Sequence, residues 1–194
     1  MPSFLLYLKM INFENKNKLN MKRQILIVLA LVVGLTLQLK AGGDVKIGLA
    51  VGDKAPEIAE QSVDGKEVKL SSLQGKIVLI DFWASWCGPC RRENPAVVAA
   101  YKEFKNKNFK NGEGFSVYSV SLDKTKSAWE NAIKEDKLNW DYHVSDLKGW
   151  YSKYAAVYGV RGIPANFLID GNGVIIAKDL RGHTLQEALT QLLK

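Results

Sequence analysis

The hydrophobic pattern divides the 194-residue chain into one unbroken apolar run and a longer region where apolar and polar positions recur with readable periods. The run occupies 25–37 (ILIVLALVVGLTL), thirteen residues without a charge, after Met21-Lys22-Arg23 and before Leu39-Lys40-Ala41-Gly42-Gly43. Basic, then apolar, then small is the order of a secretory signal, and the run is shorter than the roughly 20 residues a membrane-crossing helix needs. A helix apolar all round would otherwise need a large core about it. Residues 1–41 are therefore expected to be a signal peptide or, if uncleaved, an N-terminal anchor. Ala41 suits the position before the cut, although Leu39 is larger than the small residue preferred two positions earlier. Met21 itself opens the basic region, which makes 1–20 a candidate extension upstream of the true start. Residues 42–51 read as a short linker and 52–194 as a single domain, because no repeat, low-complexity tract or Pro/Gly-rich linker interrupts it.

Within that domain Asp64-Gly65, with apolar positions at Val63, Val68 and Leu70, predicts a hairpin with a two-residue turn. Residues 76–84 (KIVLIDFWA) are almost continuously apolar and rich in β-branched and aromatic types, the pattern of a central strand buried on both faces. Pro95, Val97, Val98, Tyr101 and Phe104 then recur at helical spacing, with lysines 102, 105, 107 and 110 gathered near the helix end as a solvated face that suits its dipole. Residues 115–122 alternate strictly and predict the next strand, so strand, helix and strand imply a parallel unit with a right-handed crossover. A helix with Ala128, Trp129, Ala132 and Ile133 on one face follows, then a short strand at 141–144 and a helical stretch at 148–158. Residues 166–170 and 174–178 make a second hairpin about Gly171-Asn172-Gly173. Thr184 has the chemistry of an N-cap for a last helix with Leu185, Ala188, Leu189, Leu192 and Leu193 as its core stripe.

Composition adds exclusions. Apolar residues make up 47% and charged residues 24%, close to a globular average, which excludes a wholly disordered chain and a many-span membrane protein. A net charge of +7 would invite nucleic acid as a partner. However, residues 1–41 carry six cations (Lys9, Lys16, Lys18, Lys22, Arg23, Lys40) against Glu14 and so hold +5 of that total, leaving +2 for the other 153 residues. No nucleic-acid partner is expected.

The two cysteines carry the chemistry. Trp86-Cys87-Gly88-Pro89-Cys90 falls where the central strand ends and the first long helix begins. The thiolate is the nucleophile, and a helix N-terminus offers it partial positive charge and free backbone N–H groups. Cys87 at the helix mouth is the expected attacking sulfur and Cys90, one turn in, the shielded one. Pro89 is tolerated in a first turn. Half a zinc site would need two more ligands, and the histidines, His143 and His183, lie 53 and 93 residues beyond Cys90, without the close His pair of a zinc finger. No metal or other cofactor is expected. A purely structural disulfide closing so short a loop restrains little of the unfolded chain, and no His is placed as the base of a cysteine hydrolase. Cys-x-x-Cys beside a strand–helix–strand pattern points to redox exchange.

Residues 80–90 (IDFWASWCGPC), with Gly162-Ile163-Pro164 and Phe167-Leu168-Ile169-Asp170 downstream, closely resemble the thioredoxin superfamily. The leader, the opening Gly52-Asp53-Lys54-Ala55-Pro56, the Asp64-Gly65 hairpin and the 74 residues from Cys90 to Pro164 resemble its TlpA/ResA-like branch of bacterial disulfide reductases. The resemblance covers 52–194. It implies an α/β thioredoxin fold: a central mixed β-sheet flanked by helices, with an added N-terminal β-hairpin and an insertion before a cis-proline. By the same resemblance Pro164 is that cis-proline, lying against a Cys87–Cys90 redox disulfide and presenting the backbone of Ile163 to an extended substrate chain. Trp86, Gly88 and Pro89 complete the implied substrate surface. Asp81 matches the buried acid beneath the cysteines, whose raised pKa lets it relay a proton for Cys90. Glu93, on the same helix face as Cys90, matches an acid of the ResA-like branch. That branch often carries one acid where thioredoxin carries the other. This chain has both Asp81 and Glu93, leaving open which one relays the proton. Read from the residues alone, Glu93 is a dipole partner or the partner of a nearby arginine, and Arg91 and Arg92 are surface charges.

Gly-Pro between the cysteines resembles thioredoxin, a reductant, more than the Pro-His of strong oxidases. The expected function is therefore reduction of protein disulfides in the bacterial cell envelope, in the periplasm or on the outer face of the inner membrane, through a mixed disulfide. The resemblance implies protein disulfide substrates, apocytochrome c in cytochrome c biogenesis among them, and a membrane thiol–disulfide electron donor. It also implies a membrane tether if the leader is uncleaved. Two other readings stand beside it. A thiol peroxidase shares the fold and a similar opening, but its catalytic cysteine follows a Thr three residues earlier, where this chain has Ala84. A disulfide oxidase or isomerase would use the same cysteines in another direction.

Overall fold

The computed structural model describes residues 45–194 and, ahead of them, Lys9, Glu14, Lys18 and residues 20–26, which are helical. The remainder of the expected leader, including most of the apolar run and the cut after Ala41, lies outside the described residues.

From residue 45 the chain forms β1 (Ala59–Gln61), β2 (Glu67–Lys69), β3 (Ile77–Trp83), α1 (Gly88–Phe104), β4 (Asn108–Phe109), β5 (Gly112–Glu113), β6 (Phe115–Ser121), α2 (Lys126–Glu135), β7 (Tyr142–Val144), α3 (Lys153–Val157), β8 (Ala165–Ile169), β9 (Ile175–Lys178) and α4 (His183–Gln191). The central sheet has the strand order β7-β6-β3-β8-β9. β3 runs parallel to β6, and β6 to β7, whereas β8 is antiparallel to both β3 and β9. The apolar run of 76–84 is thus the middle strand, and every residue of β3 is buried. Phe82 on one face meets Tyr158 and Phe167 at ring separations of 5.3 and 6.4 Å. Leu79, Asp81 and Trp83 alternate onto the other face.

β6 is also buried along its whole length, although its sequence alternates. Two of its buried serines, Ser119 and Ser121, find side-chain partners. Ser119 Oγ accepts from Trp140 Nε1 at 3.0 Å, and Ser121 Oγ donates to Asp123 at 2.7 Å. A satisfied hydroxyl tolerates burial, so these polar positions do not put a face of β6 in contact with solvent.

The N-terminal hairpin forms, with a longer turn than Asp64-Gly65 alone suggests. Ser62 N–H donates to Lys66 O, Gly65 N–H donates to Ser62 O, and Gly65 sits at φ +75°, the three-residue loop with glycine in the left-handed position. Buried tyrosines of β6 and of the α3 region hold this hairpin and the segment before it: Tyr118 OH donates to Val68 O at 2.8 Å, Tyr154 OH to Ala59 O at 2.9 Å and Tyr158 OH to Pro56 O at 2.5 Å. The same segment covers both sheet edges. Ser145 N–H donates to Gln61 O beside β7, while Ile175 N–H of β9 donates to Asp53 O.

Four local expectations change. Pro95 lies within α1 but faces solvent; the buried positions of that helix are Cys90, Asn94, Val97, Ala100 and Phe104, since a ring without an N–H is least costly away from the packed face. Ala128 is exposed, leaving Trp129 and Ala132 as the buried side of α2. The stretch 148–158 breaks at Ser152 (ψ 128°) into a short 3-10 turn, Gly149–Tyr151, and α3. Thr184 is inside α4, with Gly182 at the N-cap; its hydroxyl turns back to donate to Arg181 O at 2.8 Å and accept from Arg181 N–H at 2.9 Å.

Candidate active site

β3 ends at Trp83, and the chain turns through Ser85 and Trp86 before entering α1. Cys87 is the N-cap residue of α1, in extended conformation (φ −83°, ψ 94°), with Gly88 and Pro89 opening the helix. Cys90 N–H donates to Cys87 Sγ at 3.1 Å. One of the helix's free first-turn donors therefore lies on the sulfur that would carry negative charge. The sulfurs are bonded, at 2.08 Å, so this is the oxidised form. Cys87 is 4% exposed and Cys90 1%. Both are enclosed, Cys87 the less so, while Trp86 (54% exposed), Gly88 and Pro89 stand out around them. The Trp86 ring leans on the exposed Trp150 ring at 6.1 Å.

Across from the helix the Ile163–Pro164 peptide is cis, and Ile163 O lies 3.7 Å from Cys87 Sγ. Expected features from distant parts of the chain are thereby brought together: the Cys87–Cys90 disulfide and the Ile163–Pro164 peptide with its Ile163 carbonyl.

Asp81 is 7% exposed and carries a pKa pushed up to about 7. Burial is the main cause; the Arg181 guanidinium pulls it down, and the like charge of Glu93 adds to the rise. Asp81 is flanked on its strand neighbours by Ser119 and Asn166. Glu93, in the second turn of α1, is half-buried and accepts the Gly182 N–H. Its partner is thus a backbone donor ahead of α4, neither the α1 dipole nor an arginine side chain.

The turn holding Cys87 is clamped by two charged side chains. Asp123, 1% exposed, accepts from Ser85 N–H at 2.9 Å, Ser85 Oγ at 2.5 Å and Ser121 Oγ. Arg91 donates to Ser85 O at 3.2 Å, and its other nitrogens hold Asp136 and Glu135 at the end of α2. Asn94 Nδ2 joins the same Asp136 carboxylate at 2.6 Å. Arg91 is therefore a structural tie and not a free surface charge.

The family model described as AhpC/TSA matches residues 51–178. The chain belongs to the AhpC/TSA family. Within it, the similar proteins are redox enzymes. The thiol-disulfide oxidoreductase ResA of Bacillus cereus is 31% identical over 172 residues, 89% of this chain and 93% of the relative. ResA of Bacillus subtilis is 29% identical, over 84% of this chain and 85% of its own length. Among solved structures, the thioredoxin domain of a thiol-disulfide oxidoreductase from Bacteroides vulgatus is 36% identical with a TM-score of 0.67, covering 76% of this chain and all of that one. A thiol-disulfide oxidoreductase from Bacteroides fragilis is 35% identical with a TM-score of 0.65, covering 73% of this chain and all of that one. The expected thioredoxin fold and resemblance are borne out, and this AhpC/TSA-family chain is a thiol-disulfide oxidoreductase.

Sequence reasoning missed Asp123, Asn166 and Arg181, and misread Arg91. Asp123 follows Leu122, the last apolar residue of the 115–122 pattern, the one hint that it sits just past the carboxyl end of a central strand. Arg181 carried no spacing signal, because its contacts are made only when β8 and the segment before α4 come together.

Proposed function

We propose that this oxidoreductase works as a reductase of protein disulfides in the bacterial cell envelope, exported or tethered by residues 1–41. The observation that carries the reading is the Cys87–Cys90 pair capping α1 against the Ile163 carbonyl, since that carbonyl offers an extended polypeptide a backbone partner beside the reacting sulfur. In the reduced protein the Cys87 thiolate attacks one sulfur of a substrate disulfide. A mixed disulfide forms, and the first substrate sulfur leaves with the bond's electron pair. The Cys90 thiol then passes its proton to the Asp81 carboxylate and attacks the Cys87 sulfur. The Cys87–Cys90 bond closes, the second substrate sulfur leaves as a thiolate, and two electrons have moved from the dithiol to the substrate. A membrane dithiol would restore the reduced state.

Asp81 is the better relay because a buried carboxyl with a pKa of about 7 can both take and return a proton near neutrality. Glu93 acts on it through charge. Trp86, Gly88, Pro89, Ile163 and Pro164 form the substrate-contacting rim. The ResA name of the relatives and the Gly88-Pro89 pair support the reducing direction, with apocytochrome c as a candidate substrate. A peroxidase is disfavoured by Ala84, a buried methyl with no hydroxyl to offer a peroxide.

Trapping tests the order of attack. In envelope extracts Cys90→Ser should accumulate mixed disulfides through Cys87, whereas Cys87→Ser should accumulate none. Equal trapping by both variants, or by neither, would contradict it.

A further inference from the structure

Asp81 serves the proton and the Ile163–Pro164 loop serves the substrate. Their connection runs through a single segment, residues 180–182. Asn166, the β8 neighbour of Asp81 in the sheet register, holds that segment with both ends of its amide: Leu180 N–H donates to Asn166 Oδ1 and Asn166 Nδ2 donates to Leu180 O, each at 2.9 Å. The next residue, Arg181, sends its guanidinium to Pro164 O and, at 2.7 Å, to Leu180 O. Its own backbone is fixed by Thr184 Oγ1 on both the N–H and the C=O side. The residue after it, Gly182, donates to Glu93 on α1. This short segment is thus tied to β8 beside Asp81, to the proline loop, to the helix bearing Cys90 and to the first turn of α4.

We infer that Arg181 is a positioning residue of the reaction, holding the Pro164 carbonyl in place while its charge acts at longer range on the Asp81 carboxyl, so that one side chain serves both the substrate loop and the proton relay. The inference rests on Asp81 as that relay. The charged groups about Asp81 are Glu93 from α1 and Arg181 from the segment before α4. Its strand neighbours, Ser119 from β6 and Asn166 from β8, are neutral, and the Cys90 thiol becomes titratable once the disulfide is reduced. Of these influences Arg181 favours the carboxylate, whereas burial and Glu93 both oppose it. Without the guanidinium the acid would stay protonated to higher pH and could no longer accept the Cys90 proton near neutrality. An opposite charge within about 4–6 Å moves such an acid by about 1–3 pH units, and about one unit is expected of a guanidinium that makes no direct ion pair with it.

The test is single-turnover reduction of Ellman's reagent by the full-length reduced protein. The first attack and the resolution each release one coloured thiolate, and the resolution phase is followed from acid to alkaline pH. In the native protein this phase should rise with a midpoint near the Asp81 pKa of about 7. Arg181→Gln should move that midpoint alkaline by about one pH unit, about tenfold slower resolution on the acid side, with the alkaline plateau retained. Arg181→Lys, keeping the charge, should stay nearer the native midpoint, and Arg181→Met, keeping the aliphatic stem, serves if the Gln variant folds poorly. A uniform drop in rate at every pH with an unmoved midpoint would overturn the inference and leave Arg181 a structural clamp. Asp81→Asn separates the two levels: if it abolishes the midpoint while Arg181→Gln leaves the native midpoint in place, the relay stands and the coupling falls. If Asp81→Asn keeps the midpoint, the relay itself is wrong.

Discussion

Asp81 is a carboxyl in a strand otherwise made of Ile, Val, Leu, Phe and Trp, and its chemistry has a stability cost. Its pKa is about 7 in the folded chain against 3.8 ordinarily, so the folded state holds the proton longer than the unfolded state. Its contribution is fully favourable below about pH 4 and is lost as pH rises to about 7, a change of up to about 4 kcal/mol. Asp81→Asn should therefore become more stable than the native protein by up to that amount at alkaline pH, and the gap should shrink in acid. Denaturant titrations at the two pH extremes would show it, and a pH-independent gap would contradict the assignment. His143 has the opposite sign. Burial lowers its pKa from 6.5 to about 4, in spite of the hydrogen bond between Nε2 and Leu138 O. Its contribution is present above about 6.5 and lost as pH falls to about 4, about 3 kcal/mol in all. Between those limits the two residues nearly cancel. The native protein should show a flat stability profile there, and His143→Gln should expose the Asp81 slope as stability that falls with rising pH. Asp81 was legible in the sequence as the one acid in an apolar run. The environment of His143 was not, because its stacking on Trp140 at 5.4 Å depends on how β7 docks beside β6.

At the scale of elements, what was legible followed period and punctuation. β3 and α1 were readable from an apolar run followed by helical spacing, and the cysteines from their place at the junction. The clamp on that junction was not, because Ser85 meets Asp123 and Arg91 meets Asp136 across 38 and 45 residues. No local pattern encodes such contacts. Asp123→Ala leaves the Ser85 and Ser121 donors without their buried acceptor and should cost about 1–3 kcal/mol per unsatisfied group. It should also slow the first attack by loosening the turn that carries Cys87, while leaving the pH midpoint of resolution unchanged. Calorimetry and the same two-phase assay would read both effects. A normal first phase in a destabilised variant would show that the clamp serves the fold alone. Arg91 was misread for the same reason: on a helix surface it looks solvated until the end of α2 arrives beneath it.

For the molecule as a whole, the mixed sheet, the added hairpin and the insertion follow from the sequence, but the closing of both sheet edges by residues 53–62 does not. That closure is made of single bridges, Lys54 with Val174 and Ser62 with Val144, too short to leave a periodic trace. It covers one end of each edge strand, the start of β9 and the end of β7, and the Ile163 carbonyl beside the disulfide is the backbone acceptor offered at the site for strand addition. The central claim is that this dithiol gives electrons to substrates. It is tested most directly by the midpoint potential of the Cys87–Cys90 pair, obtained by equilibrating the full-length protein with dithiothreitol buffers and counting free thiols. The account predicts a value near the about −270 mV of thioredoxin; a value near the about −120 mV of strong disulfide oxidases would contradict it and make the protein a disulfide donor.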